Sequence, residues 1–303
     1  MLLKFSLIIM FDVTGLGNCC VDLIGIVNQL PKENTKKDIT SFKQFVGSPV
    51  VNALLTLSHL GCKTSIISSV GNDHYGQFIK QTFIKNNINI QNLREDSSES
   101  SVHFVVIAKK TQSRTIFKKK NHLKVLAEFS PFHKFTIQNS KILVLDRNVD
   151  NEQIKAINWA KKHKVKVAYD PSDKYNSFTL KMIQLADIFI APLGFINHLK
   201  NKSNPEHALK ELWMLNKKIV VLTLGPKGSM ATDGKSIVYE PRINQVRVVD
   251  TNGAGDVYYG AFVYGVLKNW NLKKKLTFAN KIAALKCSIL GNDFKKLNLK
   301  KYR

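Results

Sequence analysis

The chain has little of what builds cross-links or metal clusters. Its 303 residues include four cysteines, Cys19, Cys20, Cys62 and Cys287. None stands in a Cys-x-x-Cys spacing, which excludes a disulfide scaffold and the common local zinc and dithiol motifs, and suits a reducing, cytoplasmic setting. Arginine is scarce as well: of 46 basic residues only Arg94, Arg114, Arg147, Arg242, Arg247 and Arg303 are arginines. The formal net charge of +24 therefore rests on dispersed lysine, whose densest runs, Lys118 to Lys120 and Lys273 to Lys275, are short. Nucleic-acid sites favour Arg forks and clustered patches interleaved with aromatics, so the charge reads as solvated surface and no nucleic-acid partner is expected. The competing reading, a basic nucleic-acid binder, requires steeply salt-sensitive affinity. No apolar run is long enough to span a bilayer, so no membrane partner is expected. Internal repeats and low-complexity linkers are missing too. One domain over 11–303 is expected, preceded by a dispensable extension at 1–10 with Met10 as an alternative start: that apolar stretch lacks a small-residue cleavage site and runs straight into a strand pattern.

What is present from Lys141 onward is alternation. Lys141 to Leu145, Val165 to Tyr169, Ile188 to Ala191 and Ile219 to Leu224 read as strands. Asn151 to His163, Phe178 to Ala186 and Pro205 to Asn216 between them read as helices. This predicts an α/β fold, a mostly parallel central sheet covered by helices on both faces, with ligands at the strands' C-terminal ends. The front third differs. Phe11 to Gly15 reads as the first core strand, whereas Val21 to Asn28, Asp38 to Val46, Ser101 to Ala108 and Arg114 to Lys119 read as short strands of a small β appendage near 21–46 and 101–119. Helices over Asn52 to Leu60 and Tyr75 to Lys85 interrupt them, the second with Phe78/Phe83 and Ile79/Ile84 spaced to face the core.

Asp250-Thr251-Asn252-Gly253-Ala254-Gly255-Asp256 carries the chemistry. It lies between a strand-like run, Gln245 to Val249, and an apolar helical pattern, Val257 to Trp270. Small residues at a helix start leave backbone N–H groups bare, and with the helix dipole these form an anion site. A carboxylate beside that site suits proton abstraction from an attacking hydroxyl, so the loop reads as a phosphoryl-transfer centre. A plain strand-to-helix turn is the alternative. The string resembles the C-terminal signature of the ribokinase-like (PfkB-type) carbohydrate kinases, Asp-Thr-x-Gly-Ala-Gly-Asp, at all its fixed positions. The resemblance spans about residues 11 to 291. It implies a three-layer α/β/α fold with a small β-strand lid, ATP as phosphoryl donor, Mg²⁺, a monovalent cation in some members, a small sugar substrate and a homodimer joined through the lid. It also implies Asp256 as general base, and Gly253, Ala254 and Gly255 as anion hole.

By the same resemblance Thr223-Leu224-Gly225-Pro226-Lys227-Gly228 matches a nucleotide loop, giving Thr223, Gly225 and Gly228 as nucleotide-binding, with Asn280 lining the adenine pocket. Asp22 is implied to hold sugar hydroxyls. Gly47-Ser48-Pro49-Val50-Val51-Asn52 is similar to the N-terminal signature, with Ser48 in place of its second glycine, so Gly47, Ser48 and Asn52 are substrate-binding candidates. Ser48 either stiffens the hinge or adds a hydroxyl contact. Gly71 to Gly76 matches a structural turn at a helix head, with His74 an exposed loop residue. The family's Asn-x-x-Glu pattern, which organises the metal–phosphate waters, is replaced by Pro192-Leu193-Gly194-Phe195, and the metal ligands stay unassigned. The short stretch after Gly291 implies less C-terminal covering than usual. Gly15-Leu16-Gly17-Asn18-Cys19-Cys20 fails as a dinucleotide fingerprint, and Gly234-Lys235-Ser236 reads as a hairpin within Met230 to Tyr239. Two alternatives share the fold: a nucleoside kinase with an apolar pocket at Phe104, Val106 and Phe117, and a catalytically degenerate nucleotide- or sugar-binding protein.

Overall fold

Two sheets form from these patterns in a computed structural model, which describes residues 10–111, 113–119, 122–200, 204–216, 218–243 and 246–302. The proposed extension therefore lies, apart from Met10, outside the described residues. Strand β1 (Phe11–Leu16) enters the large sheet. The chain then leaves it for β2 (Cys20–Val27) and β3 (Ser41–Gly47), and returns through α1 (Pro49–His59), β4 (Thr64–Gly71), α2 (His74–Lys85) and β5 (Ile88–Asp96). A second excursion supplies β6 (Ser101–Ala108) and β7 (Ser113–Lys118). The remainder alternates: α3 (Pro131–Gln138), β8 (Ser140–Leu145), α4 (Asn151–Lys162), β9 (Lys166–Tyr169), α5 (Thr179–Leu185), β10 (Ile188–Pro192), α6 (Pro205–Asn216) and β11 (Ile219–Thr223). A hairpin of β12 (Ser229–Thr232) and β13 (Ile237–Glu240) precedes the closing helices α7 (Ala254–Leu267) and α8 (Leu272–Cys287).

The large sheet has nine strands in the order β13-β12-β11-β10-β9-β8-β1-β4-β5, and only β12 and β13 run antiparallel to their neighbours. Its side chains alternate between two cores. Val13, Ile66, Ile142, Val144, Ile190 and Val221 pack with α1, α2, α7 and α8. Leu16, Ile67, Leu143, Leu145, Val167 and Leu222 pack with α3 to α6. Period-two burial on both faces is what a parallel sheet between helical layers demands. The small sheet, order β3-β2-β6-β7, is mixed: β2 and β6 are parallel, the outer pairs antiparallel. It is the lid.

Several details differ from the sequence expectations. Residues 246–249 form no strand; the amides of Val249 and Asp250 donate instead to the Cys287 carbonyl at 2.7 and 3.1 Å, and Gln245 lies outside the described residues. Helix α2 buries Ile79 and Phe83, but Ile84 points to solvent because the apolar stripe is narrower than the spacing suggested. Strands β4 and β5 went unread, since β4 carries three serines in a fully buried strand and β5 is a polar edge. Helix α8 hides a Leu272, Leu276, Ala279, Ile282 stripe among lysines.

Helix α7 shows no polar face: Val257 to Val266 are all buried. It lies against α1, and a Cβ on Gly260 would come within 2.6 Å of the Ala53 carbonyl. Gly260 is one turn below Asp256, so this close approach brings Asn52 of α1 to the N-terminal end of α7.

Candidate active site

Strands β8, β9, β10 and β11 end side by side, and the residues just beyond their C-termini face one cavity of about 580 Å³, roofed by the lid. Its walls include Asp22, His103, Arg114 and Lys118 from the lid, Ser48 and Asn52 from the head of α1, Arg147, Asp170 and Asp173 from the segments after β8 and β9, Thr223, and Thr251 to Asp256. An open parallel sheet places ligands here, where strand ends and helix starts converge.

The 250–256 loop forms the floor. Gly253 caps α7 at φ 76°, a left-handed conformation that a side chain would strain. The amides of Gly253, Gly255 and Asp256 have no backbone acceptor among the described residues, whereas Ala254 donates a long 3.3 Å bond to the Thr251 carbonyl. Bare amides at the start of a 14-residue helix form an anion cradle. Asp256 is half-buried at its rim, and Asn52 Nδ2 donates to its Oδ2 at 2.7 Å. Asn292 Nδ2 donates to Asn52 Oδ1 at 2.6 Å and to the Val46 carbonyl at 3.2 Å. That contact fixes which way the Asn52 amide points, and leaves Asn52 only its second N–H for a sugar hydroxyl. Loss of solvation raises the Asp256 pKa, which Asn52 and Arg147 oppose.

A buried ion pair anchors this loop. Asp250 accepts from Lys286 Nζ at 3.1 Å, from the Gly291 amide at 2.8 Å and from the Asn252 amide at 2.7 Å. The Lys286 ammonium also donates to the Asp250 carbonyl at 3.0 Å. The lid touches the same loop twice: Asn252 Nδ2 donates to Asp22 Oδ2 at 3.4 Å, and Arg114 Nη1 to the Thr251 carbonyl at 3.0 Å.

The substrate candidates converge. Gly47 faces Asp22 across β2 and β3 so tightly that an added Cβ would lie 2.5–2.9 Å from the carboxylate. Ser48 holds φ 114°, a conformation glycine adopts freely; its hydroxyl donates to the Asn18 carbonyl and accepts from the Val51 amide at 3.4 Å. It therefore caps α1, and its hydroxyl is committed to the backbone. The nucleotide candidates do not all converge. Thr223 lines the cavity and Gly225, at φ 57°, borders open space, whereas Gly228 is a packing position whose Cβ would strike the Glu240 carbonyl. Asn280 is buried and donates to the Glu240 and Pro241 carbonyls at 3.0 and 3.1 Å while accepting from Ser229. It holds the turn after β13 and lies outside this cavity.

The apolar pocket imagined at Phe104, Val106 and Phe117 faces the wrong way. Phe104 and Phe117 are cross-strand partners on the outer lid face, 51% and 59% exposed. Asp22, His103 and Lys118 share the inner face. Phe195, where the family pattern has its acid, is fully buried against Phe189.

Sequence reasoning missed Asp146, Asp170, Arg147, His103, Lys286 and Asn292. The first two stand immediately after β8 and β9, a position in parallel sheets that would have singled them out. Burial pushes Asp146 up to about 6 and Asp170 up to about 7, and the nearby Asp256 charge reinforces both shifts. Asp146 Oδ2 has no hydrogen-bond partner among the described residues.

A convergent cavity of this kind, with an anion cradle, an acid beside it and a β lid, defines a phosphotransferase acting on a small hydroxylated acceptor. A model of the pfkB family carbohydrate kinases matches residues 10–295. The chain belongs to that family: it is an ATP-dependent kinase of sugar-like substrates with the ribokinase-like α/β fold. Similar curated proteins include an ATP-dependent 6-phosphofructokinase of Thermoanaerobacterium thermosaccharolyticum, 27% identical, covering 93% of this chain and 89% of that protein. A 5-dehydro-2-deoxygluconokinase of Bacillus subtilis is 24% identical over 91% of this chain and 89% of its own length. Among solved structures, Arabidopsis thaliana ribokinase complexed with ribose and ATP superposes with a TM-score of 0.81 at 20% identity, covering 96% of this chain and 99% of that one. Among the described residues no helix is long and apolar enough to cross a membrane.

Proposed function

We propose that this kinase phosphorylates an anionic sugar, a sugar acid or sugar phosphate, with Asp256 as general base. The observation that carries the base assignment is the position of Asp256: held through Oδ2 by Asn52, beside unpaired amides, on the wall of the cavity. Asp256 takes the proton as the acceptor oxygen attacks the γ-phosphoryl group of ATP, and the amides of the 253–256 segment receive the charge on the transferred oxygens. Asp22 and the free N–H of Asn52 orient the sugar. Asp170 and Asp173, both on the cavity wall, offer the hard oxygen ligands that Mg²⁺ prefers, and that ion would offset the phosphate charge.

The anionic substrate class rests on Lys118 and Arg147. Both line the cavity, and the pKa of Lys118 is lowered by burial and by the proximity of Arg147 and Lys174, with Asp173 opposing the shift, so cations are gathered on this wall although Asp170 and Asp173 share it. Such a group suits a carboxylate or phosphate on the acceptor. The names of the two curated relatives, a 6-phosphofructokinase and a gluconokinase of a dehydro-deoxy sugar acid, are in keeping with this. The nucleoside reading loses its motivation with Phe104 and Phe117 facing outward. Those residues with Phe42, also exposed, support self-association through the outer lid face.

The test is ADP release with ATP and Mg²⁺ across neutral sugars, sugar acids, sugar phosphates and nucleosides. Asp256→Asn lowers turnover about 10²- to 10⁴-fold with folding intact, the usual worth of general base catalysis. Lys118→Met raises KM for the anionic acceptor about tenfold or more while leaving the KM for ATP in place. Full turnover by Asp256→Asn refutes the base, and preference for a neutral sugar refutes the substrate class.

A further inference from the structure

Three side chains on the inner lid face bring soft and hard metal donors together. Cys20 and Asp22 are alternate residues of β2, and His103 is the cross-strand partner of Asp22 on β6. Cys20 Sγ lies 3.6 Å and His103 Nδ1 3.2 Å from Asp22 Oδ1, and all three donor atoms fall within 4.8 Å of one another. A tetrahedral zinc ion with ordinary bond lengths sets its sulfur and oxygen ligands about 3.5 Å apart and its nitrogen and oxygen ligands about 3.3 Å apart. The two spacings to Asp22 match those values, and the sulfur and nitrogen donors lie within 4.8 Å of each other.

We propose that Cys20, Asp22 and His103 form a three-ligand site for Zn²⁺, open to the cavity at its fourth position, and that occupancy blocks the acceptor subsite. The donor set of thiolate, imidazole and carboxylate is one zinc prefers and Mg²⁺ does not. One thiolate and one carboxylate balance the divalent charge, so the bound complex is itself neutral. The supporting contacts exist, since Asn252 holds the other oxygen of Asp22 and Gly47 leaves room for the carboxylate. The entry path is the cavity that all three residues line. Binding breaks the Cys20 S–H bond: the proton goes to solvent, the sulfur lone pair goes to the metal, and nothing is oxidised or reduced. Because Asp22 is the residue that would orient the sugar, the ion and the acceptor compete; this consequence rests on the kinase reading, whereas the binding itself does not.

Co²⁺ is the probe, added to the full-length protein. One equivalent is expected to produce a sulfur-to-cobalt charge-transfer band and the visible bands of a tetrahedral ion, with release of a proton. Zn²⁺ is expected to displace it. Cys20→Ser abolishes the charge-transfer band, and His103→Ala weakens Zn²⁺ binding at least about 100-fold, more than the loss of a mere supporting contact. Thermal unfolding of each variant reports whether it is folded, and Cys62→Ser and Cys287→Ser keep the band. In turnover assays Zn²⁺ raises KM for the acceptor and leaves that for ATP unchanged. A folded protein with no cobalt–thiolate band overturns the site, as does a band that survives Cys20→Ser. Cobalt binding with no effect on the acceptor KM of an active kinase overturns the competition, and an inactive protein that still shows the band separates the site from the kinase reading.

Discussion

Lys286→Met removes one partner of the ion pair beneath the 250–256 loop. Lys286 is 0% exposed, and its ammonium holds both the carbonyl and the carboxylate of Asp250. Burial lowers the lysine's pKa, and the Asp250 charge and hydrogen bond oppose that shift. Methionine fills similar volume, which keeps packing loss small and isolates the electrostatic effect. Breaking a buried ion pair by removing one partner costs about 3–5 kcal/mol. At roughly 2 °C per kcal/mol for a chain of this size, Tm falls by about 6–10 °C. The double variant Lys286→Met/Asp250→Asn recovers much of this, because the amide carries no charge and still accepts from the Asn252 or Gly291 amide. The loss also reaches catalysis. Asp250 ties the start of the 250–256 loop to α8 and Gly291, and a displacement of about 1 Å in such a site costs about 10²-fold in turnover. Urea denaturation and ATP turnover are measured on the same preparations. A Lys286→Met protein within about 1 kcal/mol of the parent, turning over at the parent rate, refutes the idea that this pair anchors the loop.

The remaining predictions concern the lid and the strand ends. Gly47→Ala forces the Asp22 carboxylate aside, since the new Cβ would lie 2.5–2.9 Å from it. The acceptor KM rises roughly tenfold or more with kcat for bound substrate less affected, as steady-state kinetics will show. Asp146 is neutral in both folded and unfolded states at low pH, but its folded pKa of about 6 lies above the ordinary 3.8. The stability it allows is complete below about pH 4 and is lost as pH rises through about 6, to a total of roughly 3 kcal/mol. Asp146→Asn removes that loss, so its urea midpoint exceeds the parent's at pH 8 and matches it near pH 4; a constant difference across the range contradicts the assignment. The raised pKa of Asp256 shifts the acid limb of kcat/KM above the range of an ordinary aspartate, and substrate-panel rates against pH will locate it.

Local chemistry made part of this protein legible. The order of strands and helices after Lys141 follows from apolar period, and the loop at 250–256 announces an anion site because small residues before an apolar helix leave amides bare wherever they occur. Gly47 and Asn52 were singled out by resemblance to a signature whose residues stay close in sequence, and Asp22 by its place after the first strand. The rest depends on contacts that no window contains. Asn52 reaches Asp256 across 204 positions, and Asn292 reaches Asn52 across 240. Asn280 carried the right motif position yet spends its amide on the turn after β13, and Phe104 and Phe117 proved to face solvent because strand period alone does not say which lid face is inward. Cys20 and His103 sit 83 positions apart, so no local ligand spacing could join them. Sequence by itself determined the alternation from Lys141 to Thr223 and the bare-amide helix start after the 250–256 loop, because backbone propensity and helix-end chemistry are set by neighbours along the chain. Only the tertiary structure decided which charges share the cavity and which face of the lid they meet, because burial and pairing are set by neighbours in space.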